Sequence, residues 1–143
     1  MSRDNIEIFK RVWPGEVDMV EFVGAGLPFS ADAVGVFDPD IEVVFLTGAP
    51  GVPNPSFRGL EGFRDGWTDW LSPFASYLLD VQEVVDAGDE ILVLSHVRAR
   101  THRDGVLVEH DPAAALTVRD GRVVRVRFFL ERAEAFEALG LPR

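Results

Sequence analysis

The 143-residue chain lacks cysteine, has a single tyrosine and carries far fewer basic than acidic residues. Without cysteine it can form no disulfide, no thiolate nucleophile and no zinc–thiolate cluster. Its formal net charge of −10 repels phosphate backbones, so we expect no nucleic acid partner. No stretch approaches the roughly 20 apolar residues that cross a bilayer, so we expect no membrane partner either.

What the chain does contain indicates one folded domain over residues 1–143. The hydrophobic content is 47%, and the length is sufficient to bury a core without a second domain. The N-terminus leads directly into an amphipathic pattern, with no charged start and apolar run. The absence of such a secretory signal favours a cytoplasmic location.

Helical periodicity dominates the first half of the chain. The clearest helix is predicted over 59–74, because its apolar residues recur at steps of three and four. These residues are Leu60, Phe63, Trp67, Trp70 and Phe74. Further helices are predicted over the segments 4–13, 16–23, 31–37 and 132–139.

The second half of the chain alternates in the manner of β-strands. Besides an earlier strand over 41–46, strands are predicted over the segments 77–85, 90–102, 106–118 and 122–130. The dipeptides Asp104–Gly105 and Asp120–Gly121 separate the last three, and Asp-Gly between alternating runs is a strong two-residue hairpin signal. Helices first and an antiparallel meander afterwards predict an α+β domain with helices packed on one face of a sheet.

Several short segments carry a family resemblance, and they occur in the right order along most of the chain. They are Asn5–Ile8, Asp38–Val43, Phe57–Gly62, Asp86–Asp89, Arg119–Arg122 and Glu131–Ala135. In this ordered set the chain resembles the SnoaL-like branch of the nuclear-transport-factor-2-like superfamily. The resemblance implies a curved antiparallel sheet wrapped by N-terminal helices, a cystatin-like α+β barrel roll that encloses a pocket. It does not imply one function, because this fold hosts isomerases, hydrolases, polyketide cyclases and binding proteins.

The histidines of the chain lie within one predicted hairpin, and this hairpin holds the candidate catalytic residues. If both Asp-Gly turns are two-residue loops, Arg103 pairs with Val106 and Arg119 with Arg122. That register places His96 opposite Ala113 and Phe128, and Arg98 opposite Asp111. His96 is then the candidate general base, Arg98 the partner of a developing oxyanion, and Asp111 the group that orients either.

Two alternatives remain open for this hairpin. Arg98 and Asp111 can equally form an ordinary cross-strand ion pair on a solvated surface. Pro112 inside a strand usually implies a bulge, and one extra residue there would turn His110 inward in place of Asp111. His110 is therefore the alternative catalytic residue.

Metal binding is not expected in this hairpin. His96 and His102 are six residues apart on one strand, which separates them by about 20 Å, far beyond a shared ion. We expect neither a metal nor another cofactor.

Aromatic residues are more numerous than a small core usually needs, and such residues commonly wall small-molecule pockets. The candidate ligand-binding residues are Trp13, Phe45, Phe63, Trp67, Trp70 and Phe128. Tyr77 opens a strand, and we interpret it as structural. The first hypothesis is a protein that binds a small hydrophobic molecule and acts by acid–base chemistry on a carbonyl compound as an isomerase, cyclase or hydrolase. The second is a ligand carrier or interaction module without catalysis.

The face of the hairpin opposite His96 predicts the association state. It is apolar, and helices are not expected to cover both faces of so small a sheet. Its residues are Ile91, Val93, Ser95, Val97, Ala99 and Thr101 on one strand, with Val108, Pro112, Ala114, Leu116 and Val118 on the next. An exposed patch of that kind exceeds what monomers normally show to water, so we expect a homodimer built on this outer face.

Overall fold

The computed structural model describes residues 16–24, 37–46 and 55–141. The strands are β1 (Glu16–Asp18), β2 (Phe37–Leu46), β3 (Ser56–Arg58), β4 (Phe74–Asp86), β5 (Glu90–Thr101), β6 (Leu107–His110), β7 (Ala113–Arg119) and β8 (Arg122–Phe129). The helices are α1 (Met19–Gly24), α2 (Gly59–Leu71) and α3 (Arg132–Leu139). The predicted helix over 4–13, and all of that over 31–37 except Phe37, lie outside the described residues. Within them, no helix has the length and apolar character that spanning a bilayer requires.

One curved, unclosed sheet contains all the described strands, and the α+β class is confirmed. The strand order is β1-β4-β5-β7-β8-β2-β3, and β6 extends the pairing along β5 beyond β7. Every described pair is antiparallel except that of β2 with β8, which is parallel. The sheet is therefore mixed rather than wholly antiparallel.

Helix α2 lies where its periodicity predicts it, although it ends at Leu71 rather than at residue 74. Pro73 follows two residues after Leu71 and has no N–H with which to continue the helix, so Phe74 begins β4 instead. Phe63, Trp67 and Leu71 are buried on the face that packs against the sheet. The predicted helix over 16–23 is in part strand, since β1 precedes the short α1.

The two Asp-Gly turns differ in loop length. Asp120 and Gly121 have φ values of 52° and 76°, and Arg119 pairs with Arg122, as expected for a two-residue hairpin. At the other turn the innermost pair is Arg100 with Leu107, not Arg103 with Val106, so that prediction is wrong. The register moves by two residues, which leaves every side chain on its expected face of the strand.

A bulge on β8 changes which side chains share a face. The register shifts between Thr117 and Val118, so Phe128 pairs with Ala114 rather than with Ala113. One extra residue on a strand exchanges the faces of everything beyond it. Phe128 therefore lies on the face of Val93 and Ala114, and not on the face of His96 as predicted.

The break between β6 and β7 contains no extra residue. The pairs Val97–His110 and Leu94–Ala113 flank it, so two residues on each strand lie between them. Pro112 has no N–H to donate to the ladder, which explains the interruption. The register is the same on both sides, and the predicted bulge at Pro112 is absent.

The face predicted to be an exposed dimer surface is the inner face of the sheet. Val97 and Ala99 are fully buried there, and Val93 is 4% exposed, in the main core with α2. The other face is covered as well, because Ala135, Phe136 and other residues at the C-terminal end pack on it in a second cluster. Helices thus cover both faces, and the predicted interface is wrong. The homodimer itself stays a prediction.

Candidate functional site

A cavity of about 80 Å³ lies between α2 and the inner face of the sheet. That volume is several times the roughly 10–15 Å³ that one water molecule requires. Five of the predicted ligand-binding residues line it: Phe45, Phe63, Trp67, Trp70 and Phe128. The sixth, Trp13, lies outside the described residues.

Phe45 on β2 is the centre of the aromatic wall. Its ring stacks on Phe128 at 4.8 Å and on Trp70 at 5.7 Å between ring centroids, and meets Trp67 edge-on at 5.8 Å. Offset-stacked and edge-to-face pairs of this kind each contribute about 0.5–1.5 kcal/mol beyond area burial. The wall is therefore held by mutual ring contacts from α2, β2 and β8.

Glycine 66 allows α2 to lie this close to the sheet. A Cβ atom at Gly66 would stand 2.8 Å from Cε1 of Phe45 and 2.8 Å from Cδ2 of Phe57. Both distances are shorter than real Cβ contacts, so a side chain at this position would displace the rings. The sequence placed this residue in the helix without indicating its role.

The polar side chains of the cavity form a chain of contacts. The indole N–H of Trp70 donates to the Tyr77 hydroxyl at 3.2 Å, and the same oxygen lies 3.2 Å from Nε2 of His110. Tyr77 is held at this place partly by its backbone N–H, which donates to the Asp18 carboxylate at 3.2 Å. Three elements, α2, β4 and β6, thus bring one polar group each to the same point.

Burial sets the protonation of Tyr77 and His110. It raises the pKa of Tyr77 to about 12, so the phenol is neutral. It lowers the pKa of His110 below the ordinary value of 6.5, against smaller opposing effects of the Leu130 backbone and Asp111. At neutral pH the cavity therefore holds a neutral imidazole beside a neutral phenol.

The remaining lining is almost wholly apolar. No Asp, Glu, Lys or Arg is among the lining residues in the described part of the chain, and Ser95 is the only other hydroxyl. A charged group is costly to bury without a partner. The cavity therefore favours a ligand without a permanent charge.

The three residues predicted to be catalytic lie outside this cavity. His96, Arg98 and Asp111 are on the outer face of the sheet, because the main core with α2 lies on the face of Val93 and Val97. Arg98 is exposed and pairs in register with Glu109 rather than with Asp111. The expectation that these residues share a face with the aromatic pocket is wrong.

His96 and Asp111 instead form a surface ion pair. Nδ1 of His96 lies 2.7 Å from Oδ1 of Asp111, and Nε2 lies 3.6 Å from Glu109. The hydrogen bond to Asp111 is the main reason that the pKa of His96 is raised, and it lowers the pKa of Asp111 in turn. This matches the alternative of a cross-strand ion pair, although His96 and not Arg98 is the cation.

His110, the alternative candidate, is the histidine that reaches the cavity. It does so because side chains alternate regularly along β6 and its inner side chains face the cavity, not because of a bulge at Pro112.

Tyr77 was missed as a cavity residue and was interpreted as structural. The available signal was its position at the head of the inward series Tyr77, Leu79 and Val81 on β4.

No group of three or more potential metal ligands occurs within residues 16–24, 37–46 and 55–141. The histidines of β5 and β6 illustrate the reason. His96 and His110 lie on opposite faces of the sheet, so they cannot share an ion.

The comparison with protein families matches residues 18–126 to the model of the SnoaL-like domain. The match covers more than half of the chain, including β2, α2, β4, β5, β6 and β7. The chain belongs to the SnoaL-like family. A search of curated proteins finds no match to it.

Solved structures of SnoaL-like and related proteins share the fold. A candidate SnoaL-like polyketide cyclase from a Jannaschia species is 18% identical, with a TM-score of 0.69 over 99% of this chain and 95% of that one. TerC, crystallised with polyporic acid, is 19% identical, with a TM-score of 0.66 over 96% and 98%. A nuclear-transport-factor-2-like protein of unknown function from Burkholderia pseudomallei is 17% identical, with a TM-score of 0.65 over 95% and 97%. At these identities the likeness concerns the fold alone.

Proposed function

We propose that this SnoaL-like protein binds a hydrophobic carbonyl compound in the aromatic cavity and acts on it by acid–base chemistry, with His110 as the base. The observation that carries the proposal is the contact of His110 with Tyr77, at 3.2 Å, inside an otherwise apolar wall. An apolar pocket with a few converging polar groups is the usual form of a small-molecule site.

The protonation state of His110 suits a base. A neutral imidazole accepts a proton from a carbon next to a carbonyl, and a base near neutral pKa contributes about 10²–10⁴ in rate. The lowered pKa of His110 keeps it neutral at neutral pH. One base that both removes and returns a proton is sufficient for an isomerase or a cyclase.

Related proteins support a ligand of this class. TerC was crystallised with polyporic acid, and the Jannaschia protein is described as a candidate polyketide cyclase. A hydrophobic carbonyl compound in the cavity would contact the stacked rings around Phe45. The aromatic wall thus supplies affinity, and the polar pair supplies the chemistry.

The experiment is hydrogen–deuterium exchange at the α-carbon of 2-tetralone in D₂O, followed by NMR. It measures proton abstraction without knowledge of the natural substrate. We expect catalysed exchange by the wild type and a loss of about 10²-fold or more in His110→Gln. His96→Gln is the matched control, because it removes a histidine from the other face of the sheet, and it should exchange at the wild-type rate.

The outcomes separate the two hypotheses. Binding of 2-tetralone without any catalysed exchange would favour a ligand carrier over an enzyme. Equal exchange by wild type and His110→Gln would refute His110 as the base. Loss of exchange in His96→Gln, with His110→Gln active, would return the chemistry to the outer face.

A further inference from the structure

Ser95 on β5 carries a buried hydroxyl in the wall of the cavity. Among the serine, threonine, amide and charged residues that the structure describes, it alone is buried, with 4% of its surface exposed. Its neighbours along the inner face of β5 are Val93 and Val97, which are also buried. It lines the cavity within this apolar row. A hydroxyl in such surroundings is unfavourable unless it forms a hydrogen bond.

The backbone of Ser95 is engaged on both sides, whereas its side chain is not. The N–H donates to the Pro112 carbonyl oxygen at 3.2 Å, and the carbonyl oxygen accepts from Arg132 at 2.8 Å. The hydroxyl forms no hydrogen bond with any residue in the described ranges 16–24, 37–46 and 55–141. The two backbone bonds therefore fix the place of the side chain, and its O–H stays available as a donor to a ligand.

Packing alone does not explain a serine at this position. Where the same sheet has a small buried side chain elsewhere, that side chain is alanine, as at Ala99, Ala113 and Ala115. An alanine at position 95 would fill nearly the same volume and would have no hydroxyl to remove from water. A ligand that accepts a hydrogen bond removes the cost of burying this hydroxyl.

The strand register places Ser95 beside His110. Val97 pairs with His110, and Ser95 lies two residues before Val97 on the same face of β5. Positions related in this diagonal way on neighbouring strands are about 7–8 Å apart. Tyr77 lies in the other direction along the strands, because it pairs with Ala99. His110 is thus between the two hydroxyls along the strand direction.

The two hydroxyls differ in what they can offer to a ligand. The Tyr77 oxygen accepts from Trp70 and contacts His110, at 3.2 Å in each case. The Ser95 hydroxyl has no such engagement within the described part of the chain. Whichever group donates in the contact of Tyr77 with His110, Ser95 is the hydroxyl near the base whose proton is free.

We propose that the Ser95 hydroxyl donates a hydrogen bond to the carbonyl oxygen of the ligand and so holds the α-carbon against His110. This inference rests on the proposed function and adds the group that stabilises the enolate. The imidazole of His110 takes the α-proton, the C–H electron pair becomes a C=C bond, and the carbonyl π pair moves to the oxygen. Ser95 keeps its proton and donates to this oxygen as it becomes negative. The imidazolium balances the enolate, so the complex gains no net charge.

One ketone can contact both groups at once. A hydrogen bond from a hydroxyl occupies about 2.7–2.8 Å, and a reactive approach of the α-carbon to the imidazole occupies about 3–3.5 Å. The oxygen and the α-carbon are both bonded to the carbonyl carbon. The two contacts and this short segment together span a distance of the same order as the separation of the two strand positions.

The test compares wild type with Ser95→Ala on 2-tetralone and on tetralin, which has the same two rings without the oxygen. Loss of one oxyanion donor should lower kcat for α-hydrogen exchange about 10²-fold or more. KM should rise less, by up to about tenfold, because one neutral hydrogen bond is lost from the ground state. Tetralin should bind both proteins equally, since the apolar wall is unchanged. Ser76→Ala is the matched control, because Ser76 precedes the inward Tyr77 on β4 and so faces outward.

Infrared spectroscopy of bound 2-tetralone measures the hydrogen bond itself. A donated hydrogen bond weakens the C=O bond, so the stretching frequency should be lower in wild type and Ser76→Ala than in Ser95→Ala. An identical frequency and a wild-type exchange rate in Ser95→Ala would overturn this inference and leave His110 as the base. A Ser95-dependent frequency without exchange by the wild type would support the contact with Ser95 and refute the proposed catalysis.

Discussion

Replacement of Gly66 by alanine tests the packing of the cavity wall. A methyl group there meets the rings of Phe45 and Phe57 at 2.8 Å. Alanine in place of glycine in a helix contributes up to about 1 kcal/mol of stability. Overpacking of a filled core typically costs about 1–3 kcal/mol, so the second effect exceeds the first. We expect Gly66→Ala to lose about 1 kcal/mol, which lowers the Tm by roughly 3 °C for a domain of this size.

Phe45 can also relieve the overpacking by moving into the cavity. The affinity for a ligand then measures that movement. A strain of about 1 kcal/mol relieved in this way weakens 2-tetralone binding by up to about fivefold. Thermal unfolding and titration calorimetry measure the two effects. The matched control is Gly62→Ala, one turn earlier, where the closest approach to Phe57 is 3.2 Å and no cavity residue is touched. A Gly66→Ala protein as stable as Gly62→Ala, with unchanged affinity, would refute this description of the wall.

Further predictions concern the surface pair and the two faces of the sheet. Because the pKa of His96 is raised, its pair with Asp111 contributes stability that is complete below the ordinary histidine value of about 6.5 and is lost as pH rises through the raised value. Urea unfolding between about pH 6 and about pH 9 should therefore show a steeper loss in wild type than in His96→Gln, and equal slopes would contradict the pair. Val97→Arg should unfold the protein, as seen by circular dichroism, because it buries a charge in the core; a folded protein with the wild-type unfolding midpoint would show that this face is not packed. Arg132→Met should lower the free energy of unfolding in urea by about 1–2 kcal/mol, because Arg132 donates to Gln82 at 2.7 Å and to the Ser95 carbonyl oxygen at 2.8 Å and so fixes the start of α3. An unchanged midpoint would show that these contacts are dispensable.

Local patterns in the sequence were sufficient for the elements that depend on local physics. Apolar residues at steps of three and four predict α2. Alternating side chains predict β4, β5 and β8 and their pairing in the sheet. The Asp120–Gly121 turn follows from the freedom of both residues to adopt positive φ. The aromatic set was found for the same reason, since its members lie on one face of α2 or at inward positions of strands.

The assignment of faces failed because it depends on single-residue irregularities. One extra residue on β8 beside Thr117 and Val118 carries no mark in the sequence, yet it exchanges the faces of Phe128 and Phe129 relative to His96. The break at Pro112 was visible as a proline, but whether it inserts a residue depends on the partner strand. His110 and not His96 reaches the cavity, because His110 shares the face of Val97, on which the main core lies.

Tyr77 was missed for a different physical reason. A tyrosine at the start of a strand packs equally well as a core ring or as a hydroxyl-bearing wall residue, and the distinction depends on what its oxygen meets. Here it meets Trp70 from α2 and His110 from β6, which are respectively 7 and 33 residues away in the chain. Contacts of that kind follow only from the tertiary fold.

The central claim is that the chemistry belongs to the cavity around His110. The chain has only three histidines, so an imidazole ¹⁵N NMR spectrum with and without 2-tetralone tests it directly. Binding in the cavity should shift the ring resonances of His110 and leave those of His96 and His102 unchanged. A shift of His96 with His110 unchanged would contradict it.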